Sequence, residues 1–201
     1  MMAIHFKDAT FIKSAAYYDQ CVPDEGREVA FVGRSNAGKS SSMNALIGSK
    51  QVRVSKTPGR TQLINFFSLA ESLRLVDLPG YGYADVPVSV KERWENTLND
   101  YFLNRQSLVG VVMLCDTRHL MKKNDLVLLN FILSLSIPVH ILLTKSDKLS
   151  KSAAKSALMA AHKALEGVEG VTMQLFSALT LVGVEELKQQ LQLWLLGPGQ
   201  E

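Results

Sequence analysis

Eight residues, Gly33-Arg34-Ser35-Asn36-Ala37-Gly38-Lys39-Ser40, constrain this chain more than any other stretch. They match G-x-x-x-x-G-K-[ST], a spacing in which a strand runs into a tight loop and then into the first turn of a helix. Both flanks agree with that geometry. Glu28-Val29-Ala30-Phe31-Val32 reads as a short buried strand, and Met43, Leu46 and Ile47 share one helical face at i, i+3, i+4. Glycine at 33 and 38 lets backbone approach phosphate oxygens, and successive N–H groups at a helix start make an anion nest. In such a loop Lys39 bridges the outer phosphates as a point charge, and the Ser40 hydroxyl faces Mg²⁺.

At 201 residues the chain suits one domain with a sizeable core, and 47% hydrophobic with 20% charged residues is ordinary globular composition. A net charge of +3 permits a nucleic-acid partner without arguing for one. The two cysteines make no disulfide framework, and Cys115, inside the apolar run 109–114, reads as a buried reduced thiol. The opening Met1-Met2-Ala3-Ile4-His5-Phe6-Lys7 lacks a signal-peptide core, and no apolar run approaches the ~20 residues of a membrane span. The expectation is a cytoplasmic protein with no membrane partner.

Residues 1–27 read as an N-terminal arm, with Phe11, Ile12, Tyr17 and Tyr18 available to pack on a sheet edge and Pro23 to Gly26 as a turn. Residues 28–196 form a single domain, and residues 197–201 a short tail. After the first helix, ended by Gly48, comes a basic loop with Lys50, Arg53, Lys56 and Arg60 and no acidic residue. Two strands follow, 63–69 and 73–76, so closely joined that they form an antiparallel hairpin. Asp77-Leu78-Pro79-Gly80 leads through Tyr81-Gly82-Tyr83 to a helix starting at Ser89, where Glu92 completes a capping box. Strands at 109–114, 139–143 and 171–176 then alternate with helices at 125–135, 150–166 and 184–196. The sum is an α/β fold, a three-layer α/β/α sandwich with a six-stranded, mostly parallel sheet and one antiparallel edge hairpin strand. Its candidate loops leave the carboxyl ends of strands, where open α/β sheets bind ligands.

Those loops hold what a guanine nucleotide needs. Asp77 ends a strand and can hold Mg²⁺ through a water, and Gly80 can give a backbone N–H to a γ-phosphate. Thr61 can close the Mg²⁺ shell when the γ-phosphate is present, in a loop made mobile by Thr57-Pro58-Gly59, or simply begin a strand. The metal set is therefore Ser40, Thr61 and Asp77, and the residues at the reacting phosphate are Lys39, Thr61 and Gly80. Thr144-Lys145-Ser146-Asp147 decides the base. An ionised carboxylate only accepts hydrogen bonds, so Asp147 can take guanine N1–H and N2–H₂ together, whereas adenine N1 would face it unpaired at a cost of ~1–3 kcal/mol. The Lys145 stem can cover the base, and Ser177-Ala178 can supply a backbone N–H to guanine O6.

The strings G-R-S-N-A-G-K-S, S-K-T-P-G-R-T-Q-L-I-N, V-D-L-P-G-Y-G-Y-A and L-L-T-K-S-D-K-L resemble the bacterial EngB family of GTPases, also called YihA or YsxC, from about Phe11 to Trp194. The resemblance implies a Ras-like fold and five nucleotide-binding segments. These are Gly33 to Ser40; Gly59, Arg60, Thr61, Gln62 and Leu63; Asp77, Leu78, Pro79 and Gly80; Thr144, Lys145, Ser146 and Asp147; and Phe176, Ser177 and Ala178. It also implies Mg²⁺-dependent binding of GTP and GDP, slow hydrolysis, a role in large ribosomal subunit assembly, and a requirement in cell division and septation.

Two positions depart from the wider GTPase pattern. Thr144 stands where Asn is usual, and its shorter side chain ties fewer loops together. Tyr81 stands where Ras-like enzymes place the Gln that orients the attacking water, so hydrolysis should be slow without a partner or ion. Asn36 matches the position that related GTPases use to hold K⁺ beside the phosphates; stabilising the loop is the other reading. Lys50, Arg53, Lys56 and Arg60 can grip ribosomal RNA phosphates, or form a solvated loop. His5, His119, His140 and His162 show no metal spacing, and Trp94 and Trp194 fall on apolar helix faces. A nucleotide kinase or ATPase, and a nucleotide-gated binding module with negligible turnover, are the competing readings; the protein is expected to be a monomer.

Overall fold

The computed structural model describes residues 4–52, 63–82 and 88–197, without the side chains of 88–91 and 93–95. Seven strands form one sheet among them: β1 (Thr10–Ala15), β2 (Arg27–Gly33), β3 (Ile64–Ala70), β4 (Leu73–Asp77), β5 (Leu108–Asp116), β6 (Val139–Thr144) and β7 (Val171–Leu175). The five helices are α1 (Lys39–Ile47), α2 (Val88–Asn104), α3 (Lys123–Ser134), α4 (Lys151–Ala164) and α5 (Val184–Leu196). The strand order is β1-β3-β4-β2-β5-β6-β7. β2, β4, β5, β6 and β7 run parallel, and β3 is antiparallel to both of its neighbours.

Alternation along β2 shows why three layers form. Val29 and Phe31 face one core, packed by α1 and α5, while Ala30 and Val32 face another, packed by α2, α3 and α4. None of the four has measurable exposure. Helical crossovers must cover both faces of such a sheet, so its central strands are largely apolar. Ser150 caps α4 as its side chain accepts the Ala153 N–H, a cap worth about 1 kcal/mol. The Cys115 thiol is buried and free, and burial pushes it up to about 12, so it is an inert core group.

The sheet has seven strands where the sequence suggested six. The extra one, β1, comes from the segment read as an arm, and it takes the edge position expected for the hairpin. Its residues conceal it: all but Ala15 are exposed. An edge strand needs no apolar alternation, because its contribution is main-chain pairing with β3. The turn behind it is pinned by ions. Glu28, wholly buried at the start of β2, accepts from Arg105 Nε at 2.6 Å, Arg74 Nε at 3.0 Å and the Tyr101 hydroxyl at 2.6 Å. The same arginines reach outward, Arg105 donating to Val22 O and Pro23 O and Arg74 to Pro23 O and Glu25 O.

Both β3 pairings contain a bulge. Against β4 the register slips between Ser68 and Ala70, and against β1 between Phe11 and Lys13. Bulges re-aim side chains, and these bring Ser14, Asn65 and Asp77 opposite one another in a row across three strands.

Candidate nucleotide site

The carboxyl ends of β2, β4, β5, β6 and β7 share one edge of the sheet, and the candidate residues gather there. The loop after β2 holds its two glycines for different reasons. Gly38 has φ +93°, a left-handed conformation that costs other residues strain, and it stands directly before α1. A Cβ on Gly33 would meet Leu114 of β5 at 3.0 Å, so close approach of a neighbouring strand requires glycine there as well. No side chain caps α1, which leaves its first N–H groups directed at the space above the loop. Asn36 is exposed with φ +64°; asparagine tolerates this conformation, which by itself favours the residue at this position.

Lys39 and Asp77 meet directly. The Lys39 ammonium donates to Asp77 Oδ1, and Asp77 is 2% exposed. Asn65 Nδ2 donates to the other carboxylate oxygen at 3.3 Å. A buried carboxylate that already holds a cation, with the Ser40 hydroxyl at the start of α1, is a set of hard oxygen donors that suits Mg²⁺.

Beyond Asp77, Leu78 is wholly buried in the core and Gly80 is also buried. Tyr81 is bound on three sides. Its N–H donates to Gly33 O at 3.1 Å, and its carbonyl accepts the Ser35 N–H at 3.0 Å. Its phenol donates to Asp125 Oδ1 at 2.7 Å, and Asp125 also accepts the Lys122 N–H at the start of α3. Burial and the Asp125 carboxylate both raise the Tyr81 pKa, so the phenol keeps its proton. The side chain at this position therefore belongs to the core.

The base end is assembled from β6 and β7. The Thr144 hydroxyl lies 2.6 Å from Ala37 O and 3.1 Å from Cys115 O, so this short side chain still reaches both the phosphate loop and β5. Lys145 has a left-handed backbone, and its ammonium donates to Asn36 O at 2.7 Å while pairing with Asp116 at 3.0 Å. Asp116 also takes two hydrogen bonds from Arg118, at 2.9 and 2.7 Å, which hold its carboxyl well below the usual range. Asp147 Oδ1 accepts the Ser177 hydroxyl at 2.6 Å, and this bond lowers the carboxyl's pKa. Ser177 is itself fixed, its oxygen accepting the N–H groups of Leu179 and Thr180. A cavity of about 200 Å³ opens between Gly38, Lys145, Asp147 and Ala178.

The structure thus brings Gly33 to Ser40, Asp77 to Gly80, Thr144 to Asp147 and Ser177-Ala178 to one edge. Leu78 and Phe176 are core residues, so only their backbone can face a ligand, and Ser146 is largely buried. Leu63 is exposed just before β3, and Lys50 is exposed after α1. Gly59, Arg60, Thr61 and Gln62, with Arg53 and Lys56, lie outside the described residues, as does the side chain of Trp94. Trp194 packs half-buried on the core, edge-on to His140. Among the described residues no group of His, Cys, Asp and Glu could hold a metal by itself, and no helix is long and apolar enough to cross a membrane. Sequence reasoning missed Asn65, Asp116 and Asp125. Asp116 carried a signal, a carboxylate at a strand end; the others depend on register and helix placement.

Residues 28–145 match the family model described as "50S ribosome-binding GTPase". A probable GTP-binding protein EngB from Coxiella burnetii is 50% identical over 191 residues, covering 94% of this chain and 93% of that protein. The crystal structure of a probable GTP-binding protein engB superposes with a TM-score of 0.65 at 24% identity, covering 81% of this chain and 95% of that one. Era in complex with MgGDPNP and a segment of 16S ribosomal RNA shares the fold, with a TM-score of 0.67 at 22% identity over 88% of this chain and 59% of that one.

Proposed function

Since the chain belongs to the EngB family of GTP-binding P-loop GTPases, we propose that it works as a Mg²⁺-dependent GTP/GDP switch with slow turnover, acting as a cytoplasmic monomer on the large ribosomal subunit or its precursor. Its requirement in cell division and septation would follow from that role. One observation carries the guanine reading: the Asp147 carboxylate, oriented by Ser177 at 2.6 Å, beside a cavity that the phosphate loop shares. Kept ionised, it accepts guanine N1–H and N2–H₂, and it repels adenine N1 by leaving two acceptors face to face. The Lys145 ammonium, braced on Asn36 O and Asp116, stretches its stem across one side of the base.

At the phosphate end, the N–H groups of 33–40 and the first turn of α1 bind oxyanions. Lys39 turns from Asp77 to the outer phosphates. Ser40, Thr61 and Asp77 would hold Mg²⁺, which when bound neutralises phosphate charge. Gly80 presents its N–H to the γ-phosphate. Tyr81, buried against Asp125, contributes no group to orient water, which supports slow hydrolysis and keeps a nucleotide-gated module with negligible intrinsic turnover as the second reading. K⁺ at Asn36 would supply the missing charge, and hydrolysis should then be faster in KCl than in NaCl. Lys50, Arg53, Lys56 and Arg60 grip rRNA phosphates, so ribosome binding should weaken steeply with salt.

The test is co-sedimentation with large-subunit particles in GTP, GDP or ATP. GTP-dependent binding that Asp147→Asn and Lys39→Ala both abolish is the expected result. Equal binding with ATP, or with no nucleotide, would contradict the proposal.

A further inference from the structure

The row Ser14, Asn65, Asp77 crosses three strands on the face of the sheet that α1 covers, and it ends at Lys39. Its polar atoms are joined in sequence. The Ser14 hydroxyl donates to Asn65 Oδ1 at 2.6 Å. Asn65 Nδ2 then donates to Asp77 Oδ2 at 3.3 Å and to Leu63 O at 3.4 Å. Asp77 Oδ1 is left to face the Lys39 ammonium. Neither link follows from a hairpin of regular register. From the pairing of Ala70 with Leu73, an unbulged ladder would set Phe66 against Asp77, and the slip at 68–70 substitutes Asn65. The second slip, beyond Phe11, substitutes Ser14 as the partner of Asn65. Two separate irregularities thus converge on one carboxylate.

We propose that Asn65, itself oriented by Ser14, is a positioning residue for the Asp77 carboxylate. By binding Oδ2 it fixes which oxygen is presented to the cation, so the edge strand β1 sets the metal affinity of the nucleotide site. A group that orients a ligating carboxylate typically changes metal affinity by 10–100-fold when removed. The bond to Leu63 O ties the same amide to the backbone two residues after Thr61. The inference rests on the nucleotide reading above, with Asp77 as the metal carboxylate.

The test measures binding of a fluorescent GDP analogue to the full chain during Mg²⁺ titration, and again in excess EDTA. Asn65→Ala is expected to raise the Mg²⁺ midpoint by about tenfold or more while leaving the EDTA affinity at the wild-type value. Ser14→Ala should shift the midpoint in the same direction by less, and Ser14→Thr, which keeps the hydroxyl, should restore it. An unchanged midpoint in Asn65→Ala overturns the proposal, and so does an equal loss of affinity in Mg²⁺ and in EDTA. If circular dichroism shows Asn65→Ala unfolded, the Ser14→Ala and Ser14→Thr pair decides alone: identical midpoints overturn the proposal. A wild-type protein that binds GDP indifferently to Mg²⁺ would instead sink the underlying reading of Asp77.

Discussion

Replacing Glu28 by Gln keeps the shape of the side chain and removes one buried charge from the start of β2. Glu28 has no exposed surface, and both its oxygens are engaged: Oε1 by Arg105 Nε and Tyr101, and Oε2 by Arg74 Nε and Arg105 Nη2 at 3.1 Å. Burial and the neighbouring carboxylate raise the Tyr101 pKa, so the phenol always donates. In the amide variant the NH₂ group confronts a guanidinium, and two cations lose their shared anion. Breaking a buried pair by removing one partner costs about 3–5 kcal/mol. Two lost charge-assisted bonds at about 1.5–3 kcal/mol each give a similar figure. For a chain of this size, about 2–4 °C per kcal/mol lowers Tm by about 6–20 °C. Urea denaturation followed by circular dichroism should show the midpoint falling at constant slope. The loss should couple to Arg105→Gln in a double-mutant cycle, since both remove the same contact. A loss under about 1 kcal/mol, or independent effects of the two substitutions, would refute the claim that this cluster anchors the turn before β2.

Tyr81→Phe removes a buried hydrogen bond to the Asp125 carboxylate and should cost about 1.5–3 kcal/mol in urea denaturation, with the effect of that bond vanishing in an Asp125→Ala background, which has no acceptor. Ser177→Ala releases the Asp147 carboxylate, so GDP binding by calorimetry should weaken while the fold persists. His140 is buried, and burial lowers its pKa below 6.5. Its Nε2–H donates to Gln174 Oε1, since Gln174 Nε2 already donates to Gly183 O, and its Nδ1 accepts from Thr172. A depressed histidine pKa means that the unfolded chain binds the extra proton first. Stability from this group is therefore complete above pH 6.5 and declines as pH falls below it, a limb that denaturation curves of His140→Gln should lack.

Much of the fold was legible because its strands are buried on both faces and their helices carry local signals. The 184–196 helix and the Ser150 cap were readable in this way, each from residues adjacent in the chain. β1 was illegible because an exposed edge strand needs no apolar pattern. The bulges were illegible because register depends on two strands at once, and Asn65 lies twelve residues from the carboxylate it binds. Tyr81 was readable as a departure from the Gln pattern, but its burial against Asp125 depends on where α3 starts. Ser177 was read for its backbone N–H, whereas its hydroxyl is what grips Asp147.

The position of β1 also dictates an order of events during synthesis. Ser14 precedes Asn65 by 51 residues, so β1 cannot pair with β3 until residues 64–68 have followed it. Closing so long a loop is slow compared with forming a local helix. β1 waits, and the amide that steadies the carboxylate at position 77 gains its own hydroxyl partner only when an earlier segment of the polypeptide meets a later one.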